Sequence, residues 1–297
     1  MTCLICGKDN MKSYYYPDVH FNNKIFKYYE CANCGSAQIN PMPDTDDYKK
    51  MYGVNDHRYL TDLKENEFVE FNKLYPKYNH QKYQLDFFSK YKYHLSGKTL
   101  LDYGCGSGFY MYHAKKYGLD CTGVEFNADF AALLKLKTGL NILTLEDVKG
   151  KTFDIIHLGH VLEHMENPGI TLENMKQYAH KNTVFIIDGP LEKNACLTRF
   201  FIKIISIIKQ KKFNTYPPQH LTFTNYHSQL LMFKRNNLDC INYEVQEQMF
   251  PLPEKFEISK PFKGLQFIIS RVSIGLSKLI YRWGNIFHYA GKLKQSS

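Results

Sequence analysis

Hydrophobic residues in the middle of the chain form short runs that alternate with polar, glycine-containing segments. The run at residues 99–103 leads through a glycine-rich bend into a stretch that predicts a helix at residues 110–117. Further apolar runs at residues 119–125, 153–156 and 185–187 have the length of buried strands. Strands that alternate with helices predict an α/β fold with a doubly wound, mostly parallel sheet.

Two stretches in the last third of the chain have the periodicity of amphipathic helices. Residues 197–212 place large apolar side chains on one face and polar or basic side chains on the opposite face. Residues 262–294 repeat this mixture of apolar and basic residues. Between the two stretches, residues 226–238 predict a helix and residues 241–245 alternate as a strand, which we expect to complete the sheet.

Composition narrows the class of protein. The chain has 297 residues, 44% of them apolar, which supports a buried core and excludes a disordered chain. No run of about 18 uncharged apolar residues occurs, so a membrane-spanning helix is excluded. The first residues show no basic start followed by an apolar core, and we therefore expect no signal peptide. These features predict a cytoplasmic protein with reduced thiols.

Positive charge is concentrated in the C-terminal third. Residues 193–297 contain 16 Lys and Arg against 5 Asp and Glu, whereas residues 1–192 contain 22 against 24. This asymmetry, with the large apolar residues of both amphipathic stretches, predicts peripheral contact with an anionic membrane at the inner membrane face. Core or dimer packing and a solvated basic face are the alternatives, and nucleic acid is the least favoured partner.

Four cysteines near the N-terminus form two Cys-x-x-Cys pairs, Cys3 with Cys6 and Cys31 with Cys34. Each pair can supply two thiolates to one tetrahedral ion, and two pairs fill all four positions. The pattern therefore predicts a closed, structural zinc site whose metal supplies most of the folding free energy of a short module. Chance spacing and a redox pair are the alternatives, and the other four cysteines are expected to be small core residues.

A buried strand leads into Gly104, Gly106 and Gly108, which have the spacing Gly-x-Gly-x-Gly. Glycines here allow a ligand to approach the backbone closely. The dinucleotide fingerprint requires glycine where this chain has Phe109, which disfavours NAD. The next strand ends at Glu125, 21 residues after Gly104, a distance at which an acid can bind both ribose hydroxyls. The bend, helix, strand and acid together form a specific cofactor-binding signal.

Several segments resemble the class I S-adenosylmethionine-dependent methyltransferases. These segments are residues 101–108, 125–127, 153–168, 185–190 and 219–223. The resemblance spans about residues 80–250 and implies that family's seven-stranded, mostly parallel sheet and its cofactor, S-adenosylmethionine. Segment 219–223 is similar to a stretch in the glycan- and quinone-modifying branches, and a four-Cys module precedes the domain in sugar methyltransferases and in an rRNA guanine methyltransferase group.

The resemblance also assigns roles to individual residues. The residues to which it assigns cofactor contacts are Asp102, Gly104, Cys105, Gly106, Gly108, Glu125, Phe126, Leu145, Glu146, Asp147, Leu158 and Gly159. Asp102 and the glycine bend would hold the methionine part, Glu125 the ribose, and Phe126 would lie beside the adenine. Glu146 and Asp147 would lie near the adenine amine, with a solvated turn as an equal alternative.

Methylation of a hydroxyl group requires a catalytic base near the acceptor. Because a hydroxyl acceptor must lose its proton, histidines near the expected acceptor position are candidate bases. His164 is the first candidate, followed by His220 and His160, and Glu163 could orient a histidine or act as the base itself. His160 and His164 would share a face if their segment were helical. A purely structural role is the alternative for each histidine.

These observations predict a zinc-containing methyltransferase that O-methylates a sugar of a bacterial surface glycan or its lipid-linked precursor. C-methylation of a nucleotide-linked sugar, RNA methylation and a non-catalytic binding protein are the alternatives. Base-amine methyltransferases of this fold often carry Asn/Asp-Pro-Pro-aromatic after the fourth strand, and this motif is absent here. The predicted regions are a zinc ribbon at 1–45, a helical linker or lid at 46–95, a cofactor domain at 96–250 with an inserted helix near 195–213, and a basic amphipathic helical extension at 251–297.

Overall fold

The structure is a computed structural model that describes most of the chain. The described residues are 1–52, 94–197, 199–200, 204, 213–214, 216–247 and 261–294. Residues 53–93 of the linker predicted at 46–95 and most of the predicted inserted helix lie outside them. Among the described residues, no helix combines the length and apolar character that crossing a bilayer requires.

The described strands and helices alternate through most of the chain. The strands are β1 (Met11–Ser13), β2 (Asp18–Phe21), β3 (Lys24–Cys31), β4 (Ala37–Asn40), β5 (Thr99–Tyr103), β6 (Asp120–Val124), β7 (Ile142–Leu143), β8 (Phe153–Gly159), β9 (Ala179–Pro190), β10 (Phe213–Asn214), β11 (Thr222–Phe223), β12 (Leu238–Gln246) and β13 (Ile286–Leu293). The helices are α1 (Thr45–Tyr52), α2 (Phe109–Lys116), α3 (Ala128–Thr138), α4 (Pro168–Met175), α5 (Tyr226–Arg235) and α6 (Pro261–Leu279), with 3₁₀ turns at Leu162–His164 and Lys176–Tyr178.

The main sheet confirms the predicted fold. Its seven strands lie in the order β12-β13-β9-β8-β5-β6-β7. The five strands from β9 to β7 are parallel, while β13 runs antiparallel to both β9 and β12. The chain starts at β5, extends outward through β6 and β7, and then returns to the other side of β5 with β8. The strand order therefore reverses between β5 and β8, where ligands bind in open α/β sheets.

The position of β13 corrects the prediction for the C-terminal region. In the described part of the predicted basic amphipathic extension, residues 261–294, Pro261–Leu279 is helical, whereas Ile286–Leu293 forms an inner strand of the main sheet. Phe287, Tyr289 and Ala290 are almost fully buried there. Burial on both faces explains the error, because a short apolar run without alternation fits a strand and a helix equally well.

Both faces of the main sheet carry an apolar core. Leu101, Ile156 and Phe185 belong to one buried cluster, whereas their chain neighbours belong to a cluster on the opposite face. This alternation follows from the two-residue period of a strand. Local signals start the covering helices: the Asn127 side chain accepts a hydrogen bond from the Phe130 N–H at the start of α3, and Gly139 ends that helix in the left-handed conformation.

The N-terminal region is joined to the remainder of the chain by a second sheet. In this sheet β10-β2-β3-β4-β11 lie side by side, and β1 pairs with β3. Strands β10 and β11 come from positions beyond 210, so the predicted separate module at 1–45 is completed by a distant part of the chain. The Tyr28 ring stacks on Phe223 with centroids 4.4 Å apart, which packs the two parts against each other.

Candidate functional site

The glycine bend follows β5 at the point where the strand order reverses. Gly104, Gly106 and Gly108 have φ values of 73°, 50° and 75°, a region that residues with a Cβ avoid. The Gly104 and Cys105 N–H groups both donate to the Val124 carbonyl of β6, at 2.9 and 3.0 Å. A Cβ placed on Gly106 would have no atom of the described residues within 4 Å, so among these residues the bend presents bare main chain to open space.

Glu125 lies directly beside this bend. Its two carboxylate oxygens accept hydrogen bonds from the N–H groups of Gly106 and Asn127, each at 3.1 Å. Burial raises the pKa of Glu125, although these N–H groups oppose the shift. The half-exposed Phe126 ring packs edge-on against Tyr103, with centroids 5.0 Å apart. The bend and the oriented carboxylate thus form a cradle that fits the ribose end of the expected cofactor.

Three other predicted cofactor residues have contacts that are unrelated to an open cradle. Leu158 is fully buried in the core, so its side chain lies away from solvent. Glu146 is exposed and pairs with Lys149, and the Asp147 carboxylate accepts hydrogen bonds from Thr144. The contacts of Glu146 and Asp147 are those of a solvated turn, which was the alternative for these two acids. The role of both residues near the adenine stays a prediction.

A buried chain of polar residues crosses three neighbouring strands. Asp102 of β5 lies 2.7 Å from His157 Nδ1 on β8, and His157 Nε2 lies 3.1 Å from Asp188 of β9. The Tyr110 ring stacks on the His157 imidazole with centroids 3.5 Å apart. Burial disfavours the charged ring, but the neighbouring aspartates outweigh it and raise the pKa of His157 to about 9. An imidazolium ion between two carboxylates therefore connects the strands below the bend.

Sequence reasoning missed His157 and Asp188. Each directly follows an apolar run that was interpreted as a buried strand, and a titratable residue that is buried needs a partner. A polar residue at the end of an apolar run was the available signal, but the partners are identified only by the pairing of β8 with β5 on one side and with β9 on the other. Asp102 was predicted to hold the methionine part of a cofactor. Its Oδ1 atom contacts His157 instead, while Oδ2 is buried and has no hydrogen-bond partner among the described residues.

A cluster of one acid and two histidines lies just beyond the end of β8. Glu163, His164 and His220 each offer a ligand atom, and these atoms lie within 4.8 Å of one another. The rings of His164 and His220 meet edge-on with centroids 4.8 Å apart. His160 Nδ1 lies 3.4 Å from Glu163 Oε1. All four predicted candidates for the base are thus brought together, although their roles stay a prediction.

The local structure that brings these four residues together differs from the helix that was considered for residues 160–164. His160 has a left-handed φ of 54° directly after β8, and His164 belongs to the 3₁₀ turn Leu162–His164, so they do not share one face of a helix. Glu163 faces both residues from between them. His220 is brought in by the segment that follows it, whose Leu221 N–H donates to the Glu163 carbonyl at 2.7 Å.

The three histidines differ in protonation. For His160, burial is outweighed by Glu163 and Asp188, which raise the pKa to about 9. For His164, burial is the largest effect and lowers the pKa, so the neutral ring dominates near pH 7. For His220, the contact with Glu192 at 2.5 Å overcomes burial and raises the pKa. His164 is therefore the histidine best suited to accept a proton.

Helix α1 links the N-terminal region to both halves of the site. The Tyr52 hydroxyl lies 3.1 Å from His164 Nδ1, and the Tyr52 carbonyl accepts a hydrogen bond from the Asn127 side chain at 2.9 Å. A second link joins β3 to the histidine cluster: the Tyr28 hydroxyl donates to the His220 carbonyl at 2.6 Å. The N-terminal region thus positions residues next to the cradle and the histidine cluster.

The four N-terminal cysteines converge, as their spacing predicted. Cys3 Sγ lies 3.7 Å from Cys34 Sγ, Cys6 Sγ lies 3.5 Å from Cys31 Sγ, and none forms a disulfide. All four sulfurs lie within 4.8 Å of one another. A tetrahedral zinc site with bonds of about 2.3 Å places its sulfurs about 3.8 Å apart, so the arrangement is compatible with one ion.

The sequence matches the profile of a known protein family. The sequence profile of the family described as Methyltransferase domain matches residues 77–243, which is more than half of the chain. No curated protein matches the sequence significantly.

Three solved structures show the range of similarity. A putative methyltransferase in complex with the Trm112 methyltransferase activator, from Haloferax volcanii, is similar over 77% of this chain and 95% of its own, at 11% identity and a TM-score of 0.51. A SAM-dependent methyltransferase from Archaeoglobus fulgidus is similar over 75% and 98%, at 16% identity and a TM-score of 0.47. Coclaurine N-methyltransferase, bound to N-methylheliamine and SAH, is similar over 71% and 70%, at 15% identity and a TM-score of 0.44. At these identities the likeness concerns the fold alone.

Proposed function

Because this chain belongs to the methyltransferase-domain family and is an S-adenosylmethionine-dependent methyltransferase, we propose that it methylates a sugar hydroxyl. The acceptor in this proposal is a surface glycan of a bacterium or the lipid-linked precursor of that glycan. The observation that carries the proposal is the cluster of Glu163, His164 and His220 beyond the end of β8. A neutral hydroxyl needs such a group, since it must lose its proton as it attacks.

Residues of the cradle have the task of holding the cofactor. Bare main chain at Gly106 admits it closely, and the Glu125 carboxylate is oriented to accept hydrogen bonds from ribose hydroxyls. The bound cofactor supplies a sulfonium-linked methyl group, which is a good electrophile. When bound, this group would pass from sulfur to the acceptor oxygen, which the residues beyond β8 would hold. Holding the two reactants in line at close distance supplies much of the acceleration.

The hydroxyl proton leaves on the acceptor side. His164 Nδ1 lies 2.7 Å from the Gln219 carbonyl, and because a carbonyl only accepts, the proton of the neutral ring is on Nδ1. The Nε2 lone pair is then available, 3.8 Å from Glu163. We expect the acceptor proton to be lost within this cluster. The nearby carboxylate stabilises positive charge that develops on the ring.

Zinc is part of the proposal as a structural ion. Cys3 and Cys31 are almost fully buried, and the Cys3 N–H donates to the Lys8 carbonyl in the tight turn that brings the first pair together. The Arg235 guanidinium donates to the Ile5 carbonyl at 2.7 Å, which ties this cysteine turn to α5. Four cysteine ligands leave no open coordination position, so we assign the ion to holding the N-terminal sheet against the site.

Mass spectrometry of surface glycans tests the acceptor. Cells with the wild-type gene should contain a glycan heavier by one methylene group, about 14 Da, than cells that carry His164→Gln, because the base position is lost. Linkage analysis then separates an O-methyl from a C-methyl group. Identical glycans in both strains, or a methyl group on carbon, would contradict the proposed O-methylation.

Membrane contact at the inner face of a cytoplasmic membrane is proposed for α6. Four apolar side chains of this helix, at spacings of three, four and seven residues, are about half exposed or more: Leu265, Ile268, Val272 and Leu279. Arg271 and Lys278 are also exposed, and the helix contains no acid. An apolar stripe beside basic residues fits an anionic lipid surface.

Flotation with vesicles of anionic lipid tests this contact. The wild-type chain should float, and a chain with Ile268→Ser and Val272→Ser should not, because both changes fall within the exposed stripe. Equal behaviour of the two chains would contradict a lipid-binding face on α6. Vesicles of neutral lipid provide the control for the charge contribution.

A further inference from the structure

We propose that Glu163, His164 and His220 bind a divalent transition-metal ion, at a site separate from the cysteine cluster. One nitrogen of each imidazole and one oxygen of the carboxylate lie within 4.8 Å of one another. Bonds of about 2.0–2.2 Å to such ligands place them about 3.4 Å apart, so the side chains need to close by about 1 Å. Two imidazoles and a carboxylate suit Zn²⁺, Co²⁺ or Ni²⁺ better than Mg²⁺ or Ca²⁺.

The hydrogen bonds around the histidines are those of metal ligands. A metal-binding histidine commonly donates its second ring N–H to a carboxylate or a backbone carbonyl, which orients the ring. His220 Nδ1 is 2.5 Å from the Glu192 carboxylate, and His164 Nδ1 is 2.7 Å from the Gln219 carbonyl. The Glu192 carboxylate and the Gln219 carbonyl each keep the ring proton on Nδ1, which leaves the Nε2 lone pair to bind a metal ion. The cluster therefore contains both kinds of orienting partner, a carboxylate and a backbone carbonyl.

The surroundings of the Glu163 carboxylate also support metal binding. The Glu163 side chain is 6% exposed, and its Oε1 atom has no hydrogen-bond partner among the described residues. His164 Nε2 lies 3.8 Å from this oxygen, and His160 Nδ1 lies 3.4 Å from it. The ion pair with His160 uses only part of the acceptor capacity of this buried oxygen, and coordination to a metal ion would use the remainder. The oxygen faces the same side as the two histidines.

Three protein ligands leave an open position, as in metal sites that bind substrate. The cluster lies beyond β8, where the acceptor is expected, and an ion there would lower the pKa of a bound hydroxyl, whose proton then leaves to solvent. His164 and His220 would act as ligands in that case, and the ion would replace a free base. This role rests on the proposed function, whereas metal binding itself does not.

Zinc content of the full chain tests the binding. Wild-type chain saturated with ZnCl₂ and then desalted should contain about one zinc more per chain than Glu163→Gln and His220→Gln, because each variant lacks one of three ligands. His227→Gln, which changes an exposed histidine on α5, is the matched control and should retain the wild-type content. Equal zinc in the wild type and both cluster variants would overturn the proposal.

Two further measurements complete the experiment. Calorimetric titration with ZnCl₂ of chain already filled at the cysteine site should show at least tenfold weaker binding for both cluster variants. Retained S-adenosylmethionine affinity shows that these variants fold. Removal of the second zinc by chelator should abolish glycan methylation; methylation that continues would remove the ion from the reaction and leave the proposed function intact. Zinc binding in a chain that methylates no sugar would instead overturn the proposed function alone.

Discussion

Replacing Gly106 by alanine separates binding of the cofactor from stability of the fold. Gly106 has a φ of 50°, and a Cβ at this position would have no atom within 4 Å. The added methyl group therefore meets no atom of the described residues in the cradle. It costs only the strain of a left-handed conformation, about 1–2 kcal/mol. In the same position, however, the methyl group occupies space that we assign to the cofactor.

Gly139→Ala is the matched control. Gly139 ends α3 with a φ of 66°, and a Cβ there also has nothing within 4 Å. Both substitutions should lower the melting temperature by a similar amount, about 2–4 °C for each kcal/mol lost in a domain of this size. Any difference in cofactor affinity between the two variants then reflects the site and not the strain.

Calorimetry with S-adenosylmethionine measures that difference. We expect binding to Gly106→Ala to be at least tenfold weaker than to the wild-type chain, which corresponds to about 1.4 kcal/mol. Binding to Gly139→Ala should equal that of the wild type. If Gly106→Ala binds the cofactor with wild-type affinity while losing the expected stability, the bend does not contact the cofactor and the assigned cradle is wrong.

Three other substitutions test neighbouring parts of the site. Glu125→Gln should weaken S-adenosylmethionine binding by tenfold or more in the same titration, because the charged acceptor for ribose is lost; unchanged affinity would exclude the ribose contact. Protonated His157 stabilises the fold fully below its unfolded pKa of about 6.5, and this contribution is lost as the pH rises through about 9. The melting temperature should thus fall more steeply between pH 7 and 10 in the wild type than in His157→Gln, and parallel curves would contradict the buried imidazolium. Cys31→Ser should release zinc and reduce turnover more than cofactor affinity, because the N-terminal sheet holds the carbonyl of His220; full turnover without zinc would contradict its structural role.

Local sequence patterns were sufficient for the cofactor half of the molecule. The bend, α2, β6 and Glu125 follow one another within a short segment, so their spacing alone predicts a cradle. The helix after the bend begins at Phe109 and ends at Lys116, one residue earlier at each end than predicted. Element boundaries are set by capping contacts, which a pattern of apolar residues does not contain.

Contacts between distant segments could not be predicted in this way. His157 meets Asp102 and Asp188 only because β8 lies between β5 and β9, and Tyr52 reaches His164 across 112 positions of sequence. The apolar residues of β13 were taken for the face of a helix, since nothing local distinguishes them from one. His160, Glu163 and His164 were found because they follow a strand end, and His220 because its loop could cover the site. Glu192, which orients His220, gave no local signal.

The inner position of β13 has a consequence for biosynthesis. This strand fills the gap between β9 and β12, so the main sheet stays in two parts until residue 293 has left the ribosome. During that interval β9 has an unpaired apolar edge, which is a template for wrong pairing with other chains. A nascent chain arrested before β13 should therefore require chaperone protection, because β13 joins the two parts of the main sheet.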